Sequence, residues 1–117
     1  MDAAFHRAVT DFIVTCRYVT SVHDLVTKWR VYLVDGYYMD LYFNRTLGKY
    51  GYTLVRQNQR ILGWDNALHH PELANFPHHF HTIHGQVEPS TLVGEPQQDL
   101  LQVRLSVEDY LSATTSP

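Results

Sequence analysis

Residues 27–44 read TKWRVYLVDGYYMDLYFN, and this stretch decides the fold of the chain. On both sides of Asp35-Gly36, apolar residues alternate with polar residues or tyrosines, which is typical of strands that bury one face. The Asp-Gly pair favours a type I′ turn, because such a turn needs positive φ and glycine adopts it readily. The stretch therefore predicts a β-hairpin, and its inward-facing residues are Trp29, Val31, Leu33, Met39, Leu41 and Phe43.

Further strands are predicted on both sides of the hairpin. Residues 49–57 and 60–66 alternate in the same way and are separated by the tight-turn pair Asn58-Gln59. The β-branched residues within 14–22 indicate another strand before the hairpin. Consecutive strands joined by short turns form an antiparallel meander.

A helix is predicted at each end of the chain. Apolar residues at helical spacing indicate a helix over residues 2–13, with Asp2 as its N-cap. Residues 97–112 fit a strand or a helix, and Pro96 at a first helical position favours the helix. We therefore predict an α+β domain, in which an antiparallel meander of about five strands carries both helices on one face.

The composition narrows the class of protein. A chain of 117 residues with 44% hydrophobic and 18% charged residues predicts one globular domain over residues 1–117. A single cysteine excludes a disulfide framework, and the chain has no stretch of about 18 apolar residues that could cross a membrane. The N-terminal residues lack the apolar core of an export signal, so we expect a cytoplasmic protein. The formal net charge of −3 argues against a strongly electrostatic DNA-binding protein.

Histidines are concentrated in one part of the sequence. Six of the eight lie between His69 and His84, in a proline-containing segment predicted to be a functional loop over residues 65–90. Asp65 ends a predicted strand, where a rigid element can direct its carboxylate toward this loop. We expect a shared cleft formed by Asp65, His69, His70, His79 and His81.

Two chemistries fit this histidine cluster. Imidazole near its ordinary pKa of about 6.5 can act as a general acid or base, and neutral imidazole can bind a transition metal. Adjacent histidines such as His69 and His70 do not easily reach one ion from an extended backbone, which favours the metal-free chemistry. We therefore expect no cofactor, while a divalent metal on the cluster stays open.

The order of several motifs resembles that of the TumE family, the toxin halves of bacterial toxin–antitoxin pairs with helix-turn-helix antitoxins. The resemblance covers about residues 30–111. The matching motifs are Trp64-Asp65-Asn66-Ala67, His69-His70, Phe76-Pro77-His78-His79 with His81, and Val87-Glu88-Pro89-Ser90. The family often places a basic residue before the tryptophan, whereas this chain has Gly63 there, and the nearest candidates are Arg60 and Arg56.

This resemblance implies a toxin that acts on RNA or translation through a His/Asp site. In such a ribonuclease one histidine deprotonates a ribose 2′-OH, a second protonates the leaving oxygen, and Asp65 orients one of them. His69 and either His79 or His81 are the candidates for the two proton transfers. Asn66 matches the family's polar signature, and we expect it to contact substrate. A helix-turn-helix antitoxin and RNA are the expected partners, and a homodimer is open.

Three other functions compete with the toxin. A non-catalytic RNA-binding module could use Lys28 and Arg30, which are interleaved with tyrosines on the outward face of the hairpin. A tyrosine-rich face also suits protein contacts. The spacing of His79, His81 and Glu88 loosely resembles a cupin metal motif, but the glutamate comes too late.

Overall fold

The computed structural model describes residues 2–115 and, within them, shows two helices on one face of a seven-stranded antiparallel sheet. The helices are α1, Ala3–Thr15, and α2, Pro96–Thr114. The strands are β1 Val19–Asp24, β2 Trp29–Leu33, β3 Tyr37–Asn44, β4 Lys49–Arg56, β5 Gln59–Asp65, β6 His79–His81 and β7 Val87–Pro89. They pair in chain order from β1 to β7, so the sheet is one meander. No helix within the described residues is long and apolar enough to span a bilayer.

The central hairpin forms at the predicted place, but its connection has three residues, Val34–Gly36, so the register is shifted by one residue from that of a two-residue turn. Asp35 and Gly36 have φ angles of 58° and 80°, and the N–H of the next residue donates to the carbonyl of Val34. Opposite residues of β2 and β3 then pair, with Val31 across from Met39. Of the six inward-facing residues, four are buried and two, Trp29 and Phe43, are partly buried against the same core.

The two helices cover the apolar face of the sheet. Helix α1 buries Phe5, Ala8, Val9 and Phe12, and helix α2 buries Leu100, Val103, Val107 and Leu111. Both sets recur every three or four residues, which places each on one side of its helix. The opposite face of the sheet carries no helix within residues 2–115, and we call it the open face. The candidate functional site lies on this open face.

The strand predicted over residues 14–22 is wrong in its first part. Helix α1 continues through Thr15, and β1 begins only at Val19. Cys16 is buried one turn after Phe12, so the apolar stripe of the helix outweighs the β-branched residues at its end. At the other end of the chain, α2 is confirmed as a helix and extends to Thr114 rather than to residue 112. Residues 113 and 114, beyond the predicted end, thus continue the helix, and residues 116 and 117 lie outside the described part.

The count of about five strands is also too low. Strands β6 and β7, of three residues each, lie inside the segment predicted to be irregular because of its prolines. The proline before β6 lies outside that strand, and Pro89 ends β7 at the edge of the sheet, where a missing N–H is tolerated. Pairing of β6 with β5 gives the histidine segment a rigid position.

Candidate functional site

Strands β5 and β6 bring three of the predicted site residues onto the open face of the sheet. Asp65 lies directly opposite His79, and Gly63 lies opposite His81. Alternation along both strands directs the intervening aromatic residues into the core instead. The two histidines, two positions apart, therefore share a face with the carboxylate.

The carboxylate of Asp65 contacts both imidazoles. Its Oδ1 lies 2.9 Å from Nε2 of His79, and its Oδ2 lies 3.1 Å from Nε2 of His81. The two histidine rings are 4.9 Å apart between centroids. The backbone N–H of Ala67 also donates to Oδ1 at 2.9 Å, which holds the carboxylate from a second side.

His79 is the most deeply placed member of this group, with 2% of the residue exposed. Its Nδ1 lies 3.1 Å from the carbonyl oxygen of Pro77. A carbonyl oxygen only accepts hydrogen bonds, so Nδ1 of His79 carries a hydrogen and donates it. Nε2 is thereby left to face Asp65.

His81 lies nearer the surface. Burial lowers the pKa of its imidazole, and the positive charge of Arg60 lowers it further, against the opposing effect of Asp65. The ring is therefore neutral at pH 7, the form in which imidazole accepts a proton or binds a metal.

The loop after β5 completes a cleft of about 600 Å³ over this group. His69 and His70 line it, and the ring of His70 packs edge-on against His79 with 4.9 Å between centroids. All five residues predicted to share a cleft, Asp65 and the four histidines, are thus brought together. Their catalytic roles stay predictions.

Arg60 reaches the cleft across Gly63. A β-bulge between β4 and β5 places Arg60 opposite Val55, whereas Leu54 is opposite Leu62. Without the bulge Ile61 would lie opposite Val55, so the extra residue brings Arg60 to the open face in its place. A Cβ atom on Gly63 would lie only 2.9 Å from Cδ of Arg60, so the absence of a side chain makes room for the arginine.

Two further predicted substrate-binding cations have other partners. Lys28 and Arg30 both bind the carboxylate of Asp40, each with a contact of 2.8 Å. The guanidinium of Arg30 also lies over the ring of Tyr38, 4.3 Å from its centroid. Both remain on the open face, but much of their charge is neutralised.

Arg56 and Asn66 bind the backbone of this protein. Nε of Arg56 donates to the carbonyl of Asp35 at 3.0 Å, near the hairpin turn and outside the cleft lining. Oδ1 of Asn66 accepts from the N–H of Tyr50, and its Nδ2 donates to the carbonyl of Gly48. Both polar ends of the Asn66 side chain are therefore used to hold the loop beside the sheet.

Lys49 is a cleft residue that the sequence analysis did not identify. It is exposed at the start of β4 and lines the cleft with Arg60. Its signal was available, because β4 and β5 were predicted neighbours and the start of one meets the end of the other.

His78 points to the opposite side from its neighbours, as alternation predicts. Its Nδ1 lies 2.8 Å from the hydroxyl of Tyr50, and the two rings stack with 5.8 Å between centroids.

The buried carboxylate of Asp99 accepts hydrogen bonds from the N–H groups of Val93 and Gly94. Burial raises the pKa of Asp99, although these two donors oppose the effect. This group joins helix α2 to the segment after β7.

Comparison with models of known protein families identifies the family of this chain. A family model described as Toxin TumE matches residues 2–111, which is nearly the whole chain. Neither the curated proteins nor the solved structures that were searched gave a match.

Proposed function

Because the chain belongs to the TumE toxin family, we propose that it is the toxin component of a type II toxin–antitoxin pair and acts on RNA at the His–Asp cleft. The observation that carries the proposal is the position of cationic side chains beside the Asp65 group. Arg60 and Lys49 line the same 600 Å³ cleft as Asp65, His79 and His81.

Such a cleft suits a phosphodiester substrate. A guanidinium donates two parallel hydrogen bonds to phosphate oxygens, and a lysine ammonium adds a point charge. These cations are local, because the chain as a whole carries a formal charge of −3. The target is therefore bound at a few phosphates rather than along an extended basic surface.

The reaction we propose is cleavage of the RNA backbone by its own 2′-OH. The 2′ oxygen forms a bond to phosphorus while the bond from phosphorus to the 5′ oxygen breaks. One imidazole of the cleft takes the hydroxyl proton and a second imidazole gives a proton to the 5′ oxygen, so charge and atoms balance. In this proposal Arg60 neutralises the phosphate as its charge rises, and the Asp65 group activates the hydroxyl.

Induced expression in a bacterial host without the antitoxin tests this proposal. We expect the wild type to stop growth, with RNA fragments that end in 2′,3′-cyclic phosphates. The His81→Ala variant should grow and leave RNA intact, because it removes an imidazole that contacts Asp65. His84→Ala is the matched control, since His84 is exposed and outside the cleft lining.

Two results would contradict the RNA target. Growth arrest with intact RNA and reduced protein synthesis would indicate a component of the translation machinery instead. Equal toxicity of the wild type and His81→Ala, with both proteins folded, would exclude the His–Asp cleft as the site.

Membership of a toxin family supports an antitoxin as the partner, and we propose that this antitoxin is a helix-turn-helix protein. Co-expression with the neighbouring small reading frame should restore growth and give a complex that purifies together. The mass of the free chain by sedimentation distinguishes a monomer from a homodimer in the same preparation.

A further inference from the structure

We propose that Asp65, His79 and His81 bind a divalent transition-metal ion, with Zn²⁺ as the reference ion. The ligands are Nε2 of each histidine and the carboxylate of the aspartate. One ligand atom from each residue lies within 4.8 Å of the others. Two imidazoles with one carboxylate are a donor set that zinc and related ions accept.

The two ring nitrogens of His79 carry the argument. Nδ1 faces the carbonyl of Pro77, and Nε2 faces Oδ1 of Asp65 at 2.9 Å. Both oxygens accept hydrogen bonds, but a neutral imidazole has only one N–H. With Nδ1 donating to Pro77, Nε2 presents its lone pair toward the carboxylate, which is the orientation of a ligand atom for an ion held between the two residues.

The separations of the ligand atoms fit an ion after a small adjustment. Ligand atoms about 2.0–2.2 Å from a tetrahedral ion are about 3.4 Å apart. The two contacts between Asp65 and the imidazoles measure 2.9 and 3.1 Å. Each nitrogen needs to move a few tenths of an ångström from its own carboxylate oxygen, and the two nitrogens, which lie within 4.8 Å of each other, need to reach about the same separation.

The surroundings also hold the ligands in the orientation that an ion needs. Histidine ligands usually donate their other N–H to a carbonyl or carboxylate, as His79 does to Pro77. The N–H of Ala67 fixes the carboxylate of Asp65 in the same way. Three protein ligands leave a coordination position open, which is typical of catalytic zinc sites.

The proposed ligands, Asp65, His79 and His81, do not include the adjacent histidines that argued against a metal in the sequence. Adjacent His69 and His70 were the reason to expect metal-free chemistry, whereas the structure groups residues two apart on one strand with a carboxylate opposite. The ion site stands on this geometry alone. Its use in cleaving RNA rests on the proposed function, where a bound ion would polarise a phosphoryl oxygen or activate a water or hydroxyl.

Metal content and affinity test the site without RNA. The untagged full chain, co-expressed with the antitoxin and then separated from it, is freed of metal and titrated with Zn²⁺ and Mn²⁺ by calorimetry. We expect one ion per chain and a rise in the melting temperature with Zn²⁺. Asp65→Asn and His81→Gln should each weaken Zn²⁺ binding by at least about 100-fold, because even outer partners of a ligand account for about 10- to 100-fold.

Controls separate ligation from general damage. His84→Ala should bind Zn²⁺ like the wild type, and circular dichroism must show that each variant is folded. If His79→Gln fails to fold, the Asp65 and His81 variants still decide the outcome.

Absence of saturable Zn²⁺ binding by the folded wild type would overturn the proposal. Zn²⁺ binding without any effect on RNA would leave the ion site intact and refute only the proposed function. RNA cleavage by a metal-free chain in chelator would support the proposed function and refute only the use of the ion in that cleavage.

Discussion

Gly63 is expected to matter because of the side chain that crosses it. An alanine there would place its Cβ 2.9 Å from Cδ of Arg60, closer than such carbon atoms approach. The backbone φ of Gly63 is not positive, so alanine brings no conformational strain of its own. Gly63→Ala should therefore displace the arginine from the cleft and leave the fold unchanged.

The size of the effect follows from the contact that is lost. A hydrogen bond to a charged group contributes about 1.5–3 kcal/mol, and an exposed arginine belongs at the low end, or about 10-fold in affinity. Gly63→Ala and Arg60→Gln should each weaken RNA binding by about this factor. Each should also reduce the dependence of log K on log salt by about 0.7, as one lost phosphate contact on a single strand does. The free energy of unfolding should change by less than about 0.5 kcal/mol.

A double-mutant cycle checks this reasoning. Binding is measured by fluorescence anisotropy with a 2′-O-methylated oligonucleotide, which lacks the attacking hydroxyl. If Gly63 acts only by making room for Arg60, the double variant should bind as weakly as Arg60→Gln alone. A further loss from Gly63→Ala in the Arg60→Gln background would refute the reasoning.

Two predictions concern the stability of the sheet. Leu41→Ala should lower the free energy of unfolding by about 2–5 kcal/mol in urea titrations, because Leu41 is fully buried at the centre of the hairpin. The exposed Leu47 is the control, and an equal loss in Leu47→Ala would contradict the register. Burial alone would raise the pKa of Asp40, but hydrogen bonds and charges of Arg30 and Lys28 lower it overall. The wild type should therefore lose its advantage over Asp40→Asn as the pH falls below about 4 toward the lower pKa of the folded state. A difference in unfolding free energy that is equal at pH 3 and pH 7 would contradict this assignment.

The parts of the fold that the sequence predicted are those with local signals. The hairpin around Asp35-Gly36 carries its turn and both strands within 18 residues, and its structure follows the pattern. Strands β6 and β7 have only three residues each, which is too short for periodicity to identify. They become strands because β5 offers a free edge, and that is a tertiary effect. The end of α1 shows the same, since packing of Cys16 decides where the helix ends.

The candidate site was predictable in its members but not in its contacts. The density of the histidines identified the segment, and alternation along β6 puts His79 and His81 on one face. The pairing of Asp65 with His79 spans 14 positions and has no local signal. The capture of Arg30 by Asp40 was not derivable from a two-residue turn, because Asp35-Gly36 alone would place Arg30 opposite Leu41, whereas the three-residue connection Val34–Gly36 places it opposite Asp40.

The arrangement of β5 against β6 explains how one small face holds so much charge. Four positions form a square on the open face: Asp65 opposite His79, and Gly63 opposite His81. Three of them carry the polar groups, and the fourth has no side chain. The arm of Arg60 passes over that fourth position, so a cation lies beside His81 without a fifth residue in the square. A larger residue at position 63 would occupy the space that the Arg60 side chain crosses, so Arg60 could not reach the cleft along this path. Gly63 and the β-bulge together position Arg60 in the cleft. A change to either is expected to alter the charge of the cleft, while the core on the other face of the sheet stays intact.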